Sequence, residues 1–308
     1  MAEKNLKDYP AAEKLLERAA SHGLNSFELI LERGNISLAQ GKFGRALQQY
    51  KKCLERSIGN PVATFNVGLS FKKLGDLDKA VKYYRRASEL DPSFVEPVLE
   101  LSTLYSERGE VDQARKVLES LIEAHPERRE VRLALAKAYV QLQTPDEAIR
   151  VLADRLQDDA LAESLRGAAY SQKGDSNAAR RHLESAISKD SSLIDAQINI
   201  SHIYGNAGDF VQAARHLRQG YDLAGDDALL PALSLYEARA DLLDDALGHL
   251  DKVFELGQPT RDHWICRALV LERKQMWAEL DLHYRAMIQN LPDLRDWVLN
   301  RTETGITR

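Results

Sequence analysis

Long apolar runs are missing from this chain of 308 residues: charged side chains make up 29% and interrupt every apolar stretch before the ~18 residues that a membrane-spanning helix requires. The opening MAEKNLKDYP has charges with no apolar segment behind them, so no secretory signal is expected. Cysteine occurs twice, as Cys53 and Cys266. That excludes a disulfide framework and fits a reducing compartment, so a cytoplasmic location is the expectation. Aromatic residues, 7% of the chain, do not alternate with glycines in strand-like runs, which argues against a stacking platform for single-stranded nucleic acid. The histidines are His22, His125, His182, His202, His216, His249, His263 and His283; none forms an H-E-x-x-H pair, and neither cysteine has a companion at ligand spacing. The glycines make no phosphate-cradling loop. No catalytic residue, metal or cofactor is expected, and the pairs Asp158–Asp159, Asp226–Asp227 and Asp244–Asp245 read as solvated turns.

What is present is a period. Gly41, Gly75 and Gly109 recur at intervals of 34, Gly174 and Gly208 resume that interval, and Ala46, Ala80, Ala114, Ala148, Ala179 and Ala213 keep time with them. Small residues at such a spacing mark the bend and close crossing of a helix-turn-helix unit that its neighbours complete. Gln143 stands where one of these glycines would be. Alanine and leucine dominate over β-branched residues, which suits helices and makes all-α the natural class. Pro61 and Pro92 fall at boundaries between helices. Asp76, Asp146 and Asp209 are placed to cap second helices, and Glu110 to favour a helix start electrostatically.

Charge is distributed unevenly. Residues 1–94 hold 16 Lys and Arg against 11 Asp and Glu, whereas residues 195–308 hold 12 against 18. The amino-terminal excess sits in second helices, at Lys51, Lys52 and Arg56 and again at Lys79, Lys82, Arg85 and Arg86. It reads either as a solvated outer wall or as a weak anionic-surface footprint.

The unit 61–94 carries Gly68, Phe71, Gly75, Ala80, Tyr84, Ala87 and Pro92 at spacings that resemble the tetratricopeptide repeat family. The likeness covers about residues 27–294, as units 27–60, 61–94, 95–128, 129–159, 160–193, 194–227, 228–260 and 261–294. It implies an all-α, right-handed superhelix, a solenoid of about eight helical hairpins. Residues 1–26 are expected to hold a helix, over 10–22, that covers the first repeat, and 295–308 a capping segment and tail. The unit 129–159 is three residues short, so its second helix or exit turn should be irregular. Gly220 and Gly225 should weaken the second helix of 194–227. The unit 228–260 lacks a small residue at its eighth position, where Leu235 stands, and the series Phe71, Tyr105, Tyr139, Tyr170 and Tyr204 should be buried.

In the family resembled, first-helix positions 2, 5, 9, 12 and 13 line a concave wall that holds extended peptides or short helices. Here position 5 gives Leu31, Phe65, Leu99 and Leu133, position 9 gives Asn35, Leu69, Thr103 and Lys137, and position 2 gives Glu28, Glu96 and Glu130. The leucine and phenylalanine column is either an apolar strip for a partner or a seam buried between first helices with one edge showing. Asn35 and Asn66 match two amide positions of a carboxylate clamp that some relatives carry, but Leu31, Glu96 and Glu100 replace its basic residues, which argues against a receptor for acidic tails. A second, more polar segment follows with Asn199, His202, Tyr236 and Arg239.

The expected function is a non-enzymatic scaffold or adaptor that binds a peptide or short helix, apolar and basic in character, with no nucleic-acid partner. The alternative is a self-associating structural module or an accessory subunit of an assembly, secretion or modification complex. Trp297, which has no place in the repeat, is the candidate contact for a homodimer through the carboxy-terminal region.

Overall fold

A computed structural model describes residues 14–16, 18, 26–153, 156, 158–257 and 259–305. The helix expected over 10–22 falls outside the described residues apart from 14–16 and 18. Every regular element among the described residues is helical, and the fold is an all-α hairpin-repeat solenoid. The chain divides into two compact units, Met1–Leu152 and Ala153–Arg308. The first holds the hairpins Phe27–Ala39 with Phe43–Arg56, Pro61–Lys73 with Leu77–Leu90, Glu96–Glu107 with Val111–Ala124, and Arg129–Gln141 with Pro145–Leu152. The second holds Ala160–Gln172 with Ser176–Lys189, Ile194–Asn206 with Phe210–Ala224, Leu230–Arg239 with Leu243–Glu255, and Arg261–Arg273 with Trp277–Asn290, followed by the closing helix Arg295–Gly305. Within each unit every hairpin packs on the next.

Each bend needs one residue in the left-handed region. Glycine supplies it at Gly75 (φ 81°) and Gly208 (φ 82°), whereas Gln143, Asp241 and Gln275 adopt φ of 56°, 64° and 59° at a cost of about 1 kcal/mol each. Asp76 and Asp209 cap the following helices by accepting from the amides of Lys79 and Gln212, and Asp175 does the same for Ala178. Asp146 is no cap; it lies inside the first turn of Pro145–Leu152, where its charge complements the helix dipole. That helix has eight residues where its counterparts in the other hairpins have 13 to 15, so the shortened fourth unit loses the end of its second helix. The sixth hairpin departs from expectation. Its second helix runs unbroken for 15 residues through buried Gly220 and stops at Gly225, which is left-handed with φ 61°. Burial of Ala213 and Leu217 along one face outweighs the intrinsic cost of one interior glycine.

The core is built on one pairing, repeated. A small residue, in order Gly34, Gly68, Ser102, Ala136, Gly167, Ser201, Ser234 and Ala268, is buried in each hairpin, and so is a large one sixteen positions later, Tyr50, Tyr84, Leu118, Leu152, Leu183, Leu217, Leu250 and Tyr284; at Gly34, Gly68 and Gly167 the two are in direct contact. The approach is close: a Cβ on Gly34 would lie 2.5 Å from the Tyr50 ring and one on Gly68 2.8 Å from Tyr84. Ser234, fully buried, therefore fills the small site of the seventh hairpin, and Leu235 moves one place on to the wall. The repeat phase slips by one residue before this unit, which is why Leu235 looked like a missing small residue.

A second pairing ties each hairpin to the next. Lys51 lies 5.6 Å over the Phe71 ring, Arg85 donates to the Tyr105 hydroxyl at 2.8 Å, Tyr139 donates to Glu119 at 2.8 Å and Tyr204 to Glu184 at 3.0 Å, each partner being twenty positions apart. In the seventh hairpin a fully buried Glu237 replaces the aromatic, and Arg218, nineteen positions earlier across the phase slip, donates to it. Phe71 and Tyr105 are buried as expected, whereas Tyr139, Tyr170 and Tyr204 are only half-buried.

The second unit adds a column of histidines at intervals of 34, 33 and 34. His182 and His216 stack on Tyr170 and Tyr204 at 5.2 and 5.6 Å, and their Nδ1 atoms meet Glu163 at 2.7 Å and Gln197 at 2.8 Å. His249 meets Glu237 at 2.7 Å. His283 stacks on Trp264 and donates from Nε2 to its carbonyl at 2.9 Å. Burial holds the His283 imidazole down to about 4, and burial with Arg215 nearby also lowers His216.

Two outcomes follow from these seams. The Tyr50 hydroxyl donates to Asn35 at 2.9 Å, whereas the buried Tyr84 hydroxyl has no partner because Leu69 occupies the place of Asn35 one repeat on. In denaturant unfolding, Tyr50→Phe should cost about 1 kcal/mol, while Tyr84→Phe should be neutral or stabilising. His283 is neutral in the fold but takes up a proton when unfolded, so its contribution to stability is lost as pH falls from about 6.5 toward about 4, by at most about 3 kcal/mol. Thermal unfolding of His283→Gln should show a correspondingly flatter pH dependence across that window.

Candidate functional site

First helices touch at Glu96–Glu107 with Arg129–Gln141 in the first unit, and at Ala160–Gln172 with Ile194–Asn206 and Leu230–Arg239 with Arg261–Arg273 in the second, and their exposed faces are taken together as a wall. On the wall of the first unit the sequence-selected residues are placed as follows. Leu31, Phe65, Leu69 and Leu99 are half-buried and Leu133 is buried, 6% exposed. Leu31 bridges two core clusters, and Phe65 meets Tyr84 and Phe94 at centroid distances of 5.4 and 5.3 Å. Much of this column is therefore seam, with an edge at the surface.

The polar neighbours are mostly engaged. Asn35 accepts from Tyr50 and donates to Glu32 at 3.0 Å, and the half-buried Asn66 accepts from Ser70 at its carbonyl. Glu100 is paired with Lys72 at 2.9 Å, while Glu96 and Glu130 both lie 3.9 Å from Arg128. Glu28 is exposed, its carboxyl held below the ordinary value by hydrogen bonds from its own amide and from Ser26. Lys72 and Arg128 thus offset two of the four carboxylates of the first unit's strip. Thr103 and Lys137 are exposed and line a cleft of about 260 Å³ between the first helices of the third and fourth hairpins, with Ser106, Glu107 and Gln141.

The second unit presents a larger cleft on the same kind of face. It has a volume of about 480 Å³ and lies between Leu230–Arg239 and Arg261–Arg273, with Arg301 of the closing helix at one end. Leu235, Ile265 and Leu269 give it an apolar floor, and Arg239 and Asp262 stand on its walls. Neither charge joins an ion pair among the described residues, in contrast to Arg273 with Asp241 at 3.2 Å and Arg301 with Glu272 at 2.7 Å. The Arg239 guanidinium lies 5.2 Å over Phe210, which in turn stacks on Tyr236. Tyr236 reaches His202 Nδ1 at 3.3 Å, and its ring seats against Gly205, where a Cβ would come within 2.5 Å of the hydroxyl. His202 is thus an exposed member of an aromatic edge, and Asn199 is half-buried on the same helix.

Cys266 opens into this cleft, and burial pushes its thiol up to about 11. Cys53 is buried, and both cysteines are free. The lining at Leu235, Arg239, Asp262, Ile265 and Leu269 falls on the wall positions of the last two repeats. Once Ser234 sets the phase they are readable from the spacing, and Arg239 already stands in the polar segment singled out from the sequence. Trp297, the candidate homodimer contact, packs within the chain on one side. It is half-buried, edge-on to Tyr284 at 6.3 Å, with Arg301 5.0 Å over its ring. Among the described residues no group of three His, Cys, Asp or Glu side chains converges as a metal site, and no helix is long and apolar enough to cross a membrane.

Comparison with known proteins agrees with this architecture. Sequence profiles described as tetratricopeptide repeat match residues 72–131, 2–61 and 31–93. The protein CTR9 homolog of Arabidopsis thaliana is 36% identical over 76 residues, which span 24% of this chain and 7% of that protein. Among solved structures, the APC/C hetero-tetramer Cut9-Hcn1 superposes with a TM-score of 0.63 at 17% identity over 85% of this chain, which spans about half (53%) of the matched one. A repeat protein from Parabacteroides merdae gives 0.59 at 19% identity, covering 74% of this chain and 92% of its own. The human IFIT1 dimer with PPP-AAAA gives 0.57 at 16%, covering 90% of this chain and 74% of the other. At these identities the likeness is one of fold.

Proposed function

Because this chain contains tetratricopeptide repeats, we propose that it is a non-enzymatic scaffold that holds a peptide or short helix of a partner protein on its first-helix walls, with the cleft at Arg239 as the principal seat. The observation that carries this reading is the pairing of an apolar floor with two charges that have no internal ion-pair partner. Leu235, Ile265 and Leu269 offer desolvation to an aliphatic or aromatic side chain, and Arg239 and Asp262 would fix the direction of the segment that carries it. The smaller cleft at Thr103 and Lys137 is a second, more polar contact of the same type. Apolar contact is the main source of affinity here, and the acidic strip of the first unit, half offset by Lys72 and Arg128, adds a weaker attraction for basic side chains.

Cys266 supplies the readout. A partner recovered from the native host should slow alkylation of Cys266, with buried Cys53 as the internal control, and should bind Arg239→Glu about tenfold more weakly, equivalent to about 1.4 kcal/mol. A partner that binds Arg239→Glu unchanged and leaves the alkylation rate of Cys266 untouched would place recognition away from this cleft.

A further inference from the structure

The opposite side of the last two hairpins carries another cleft, of about 460 Å³, between the second helices Leu243–Glu255 and Trp277–Asn290. Its floor is aromatic. Phe254 stands edge-on to Trp264 with centroids 4.6 Å apart, and Trp264 stacks on His283 at 5.1 Å. Leu282, 66% exposed, stands at the mouth. Three carboxylates, Asp251, Glu255 and Glu279, face one guanidinium, Arg267. Asp251 is matched by Arg267 at 2.7 Å, and that guanidinium also lies 5.8 Å over the Phe254 ring. Glu255 and Glu279 are exposed and join no ion pair among the described residues. The cleft therefore keeps a surplus of two negative charges beside an apolar floor.

A lone exposed leucine would mean little. Here it shares a cleft with aromatic faces, which attract cations, and with two unmatched carboxylates, which repel anions. Arg267 already shows, within the chain, that the Phe254 face accepts a guanidinium. An acidic peptide or a nucleic-acid backbone is disfavoured by the rim, and a wholly apolar segment would leave both carboxylates without counter-charge.

We propose that this outer cleft docks a basic, amphipathic segment of a partner protein, which sets Lys or Arg against Glu255 and Glu279 and lays its apolar face on Leu282 and the Phe254–Trp264 pair. The surface combines the second helices with Trp264 and Arg267 of Arg261–Arg273, and it shares no lining residue with the cleft at Arg239. The chain thereby holds two recognition faces for segments of different charge character, which would let it join two partners.

The test is fluorescence anisotropy of the full chain with a labelled synthetic helical peptide of Leu and Lys only, about four turns long. The expected result is salt-sensitive binding that falls at least tenfold in Glu255→Gln/Glu279→Gln and in Leu282→Lys. It should change less than about twofold in the charge-matched control Glu123→Gln/Asp195→Asn. All of these side chains are exposed, so folding is not at stake. Absence of binding to the wild type, equal loss in the control pair, or full affinity in Glu255→Gln/Glu279→Gln would overturn the proposal.

Discussion

Two helices of about 14 residues each approach the lower limit of stability in water, and what lets them persist here is a close crossing at one small residue. Gly34, Gly68 and Gly167 leave no room for a Cβ, because the ring of Tyr50 or Tyr84, or the side chain of Leu183, already occupies the space. The large side chain is fully buried as a result, and the two helices of the hairpin are fixed face to face. First helices are then presented on one side of each unit and second helices on the other. Both clefts on first helices, and the aromatic cleft where Trp264 reaches between two second helices, are consequences of that separation.

Hairpins are joined to one another by a polar code laid over this apolar one. The site that carries Phe71, Tyr105, Tyr139 and Tyr204 meets the preceding second helix, but the chemistry changes from cation–π to guanidinium–hydroxyl to hydroxyl–carboxylate to the ion pair of half-buried Arg218 with buried Glu237. Such a pair contributes little net stability against an apolar alternative, but losing one member is costly, so Glu237 makes the seventh hairpin specific about its neighbours. His249 contributes a further hydrogen bond to the same carboxylate. The histidine column is thus an elaboration of the inter-helix seam, and in His283 it becomes part of the floor of the outer cleft.

The period, the bends and the shortened fourth unit are legible in the sequence because each depends on local backbone chemistry. Gln143 could be assigned to a glycine site from spacing alone, and it adopts the left-handed conformation that the site demands. Ser234 was missed because one lost residue before it moved the phase, and burial rather than spacing reveals the true small site. The histidine intervals of 34, 33 and 34 were also present in the sequence, but a histidine carries no packing signature of its own. Nothing in the spacing says that Glu100 meets Lys72 or that Glu96 and Glu130 meet Arg128, since those pairings arise only when hairpins are stacked. For the same reason spacing does not show that the acidic strip is half offset, nor that further unmatched charges lie in clefts of the last two repeats, where the repeat pattern is weakest.

The small-to-large pairing is tested most directly by a double-mutant cycle on Gly68 and Tyr84, measured by denaturant unfolding. Gly68→Ala alone should be destabilising by about 1–3 kcal/mol, since its Cβ would meet the Tyr84 ring at 2.8 Å. Combined with Tyr84→Leu, which reproduces the Ala136 and Leu152 pairing of the fourth hairpin, the loss should be clearly smaller than the sum of the two single changes. Strict additivity would contradict the account, because it would mean that the two positions do not compete for the same space.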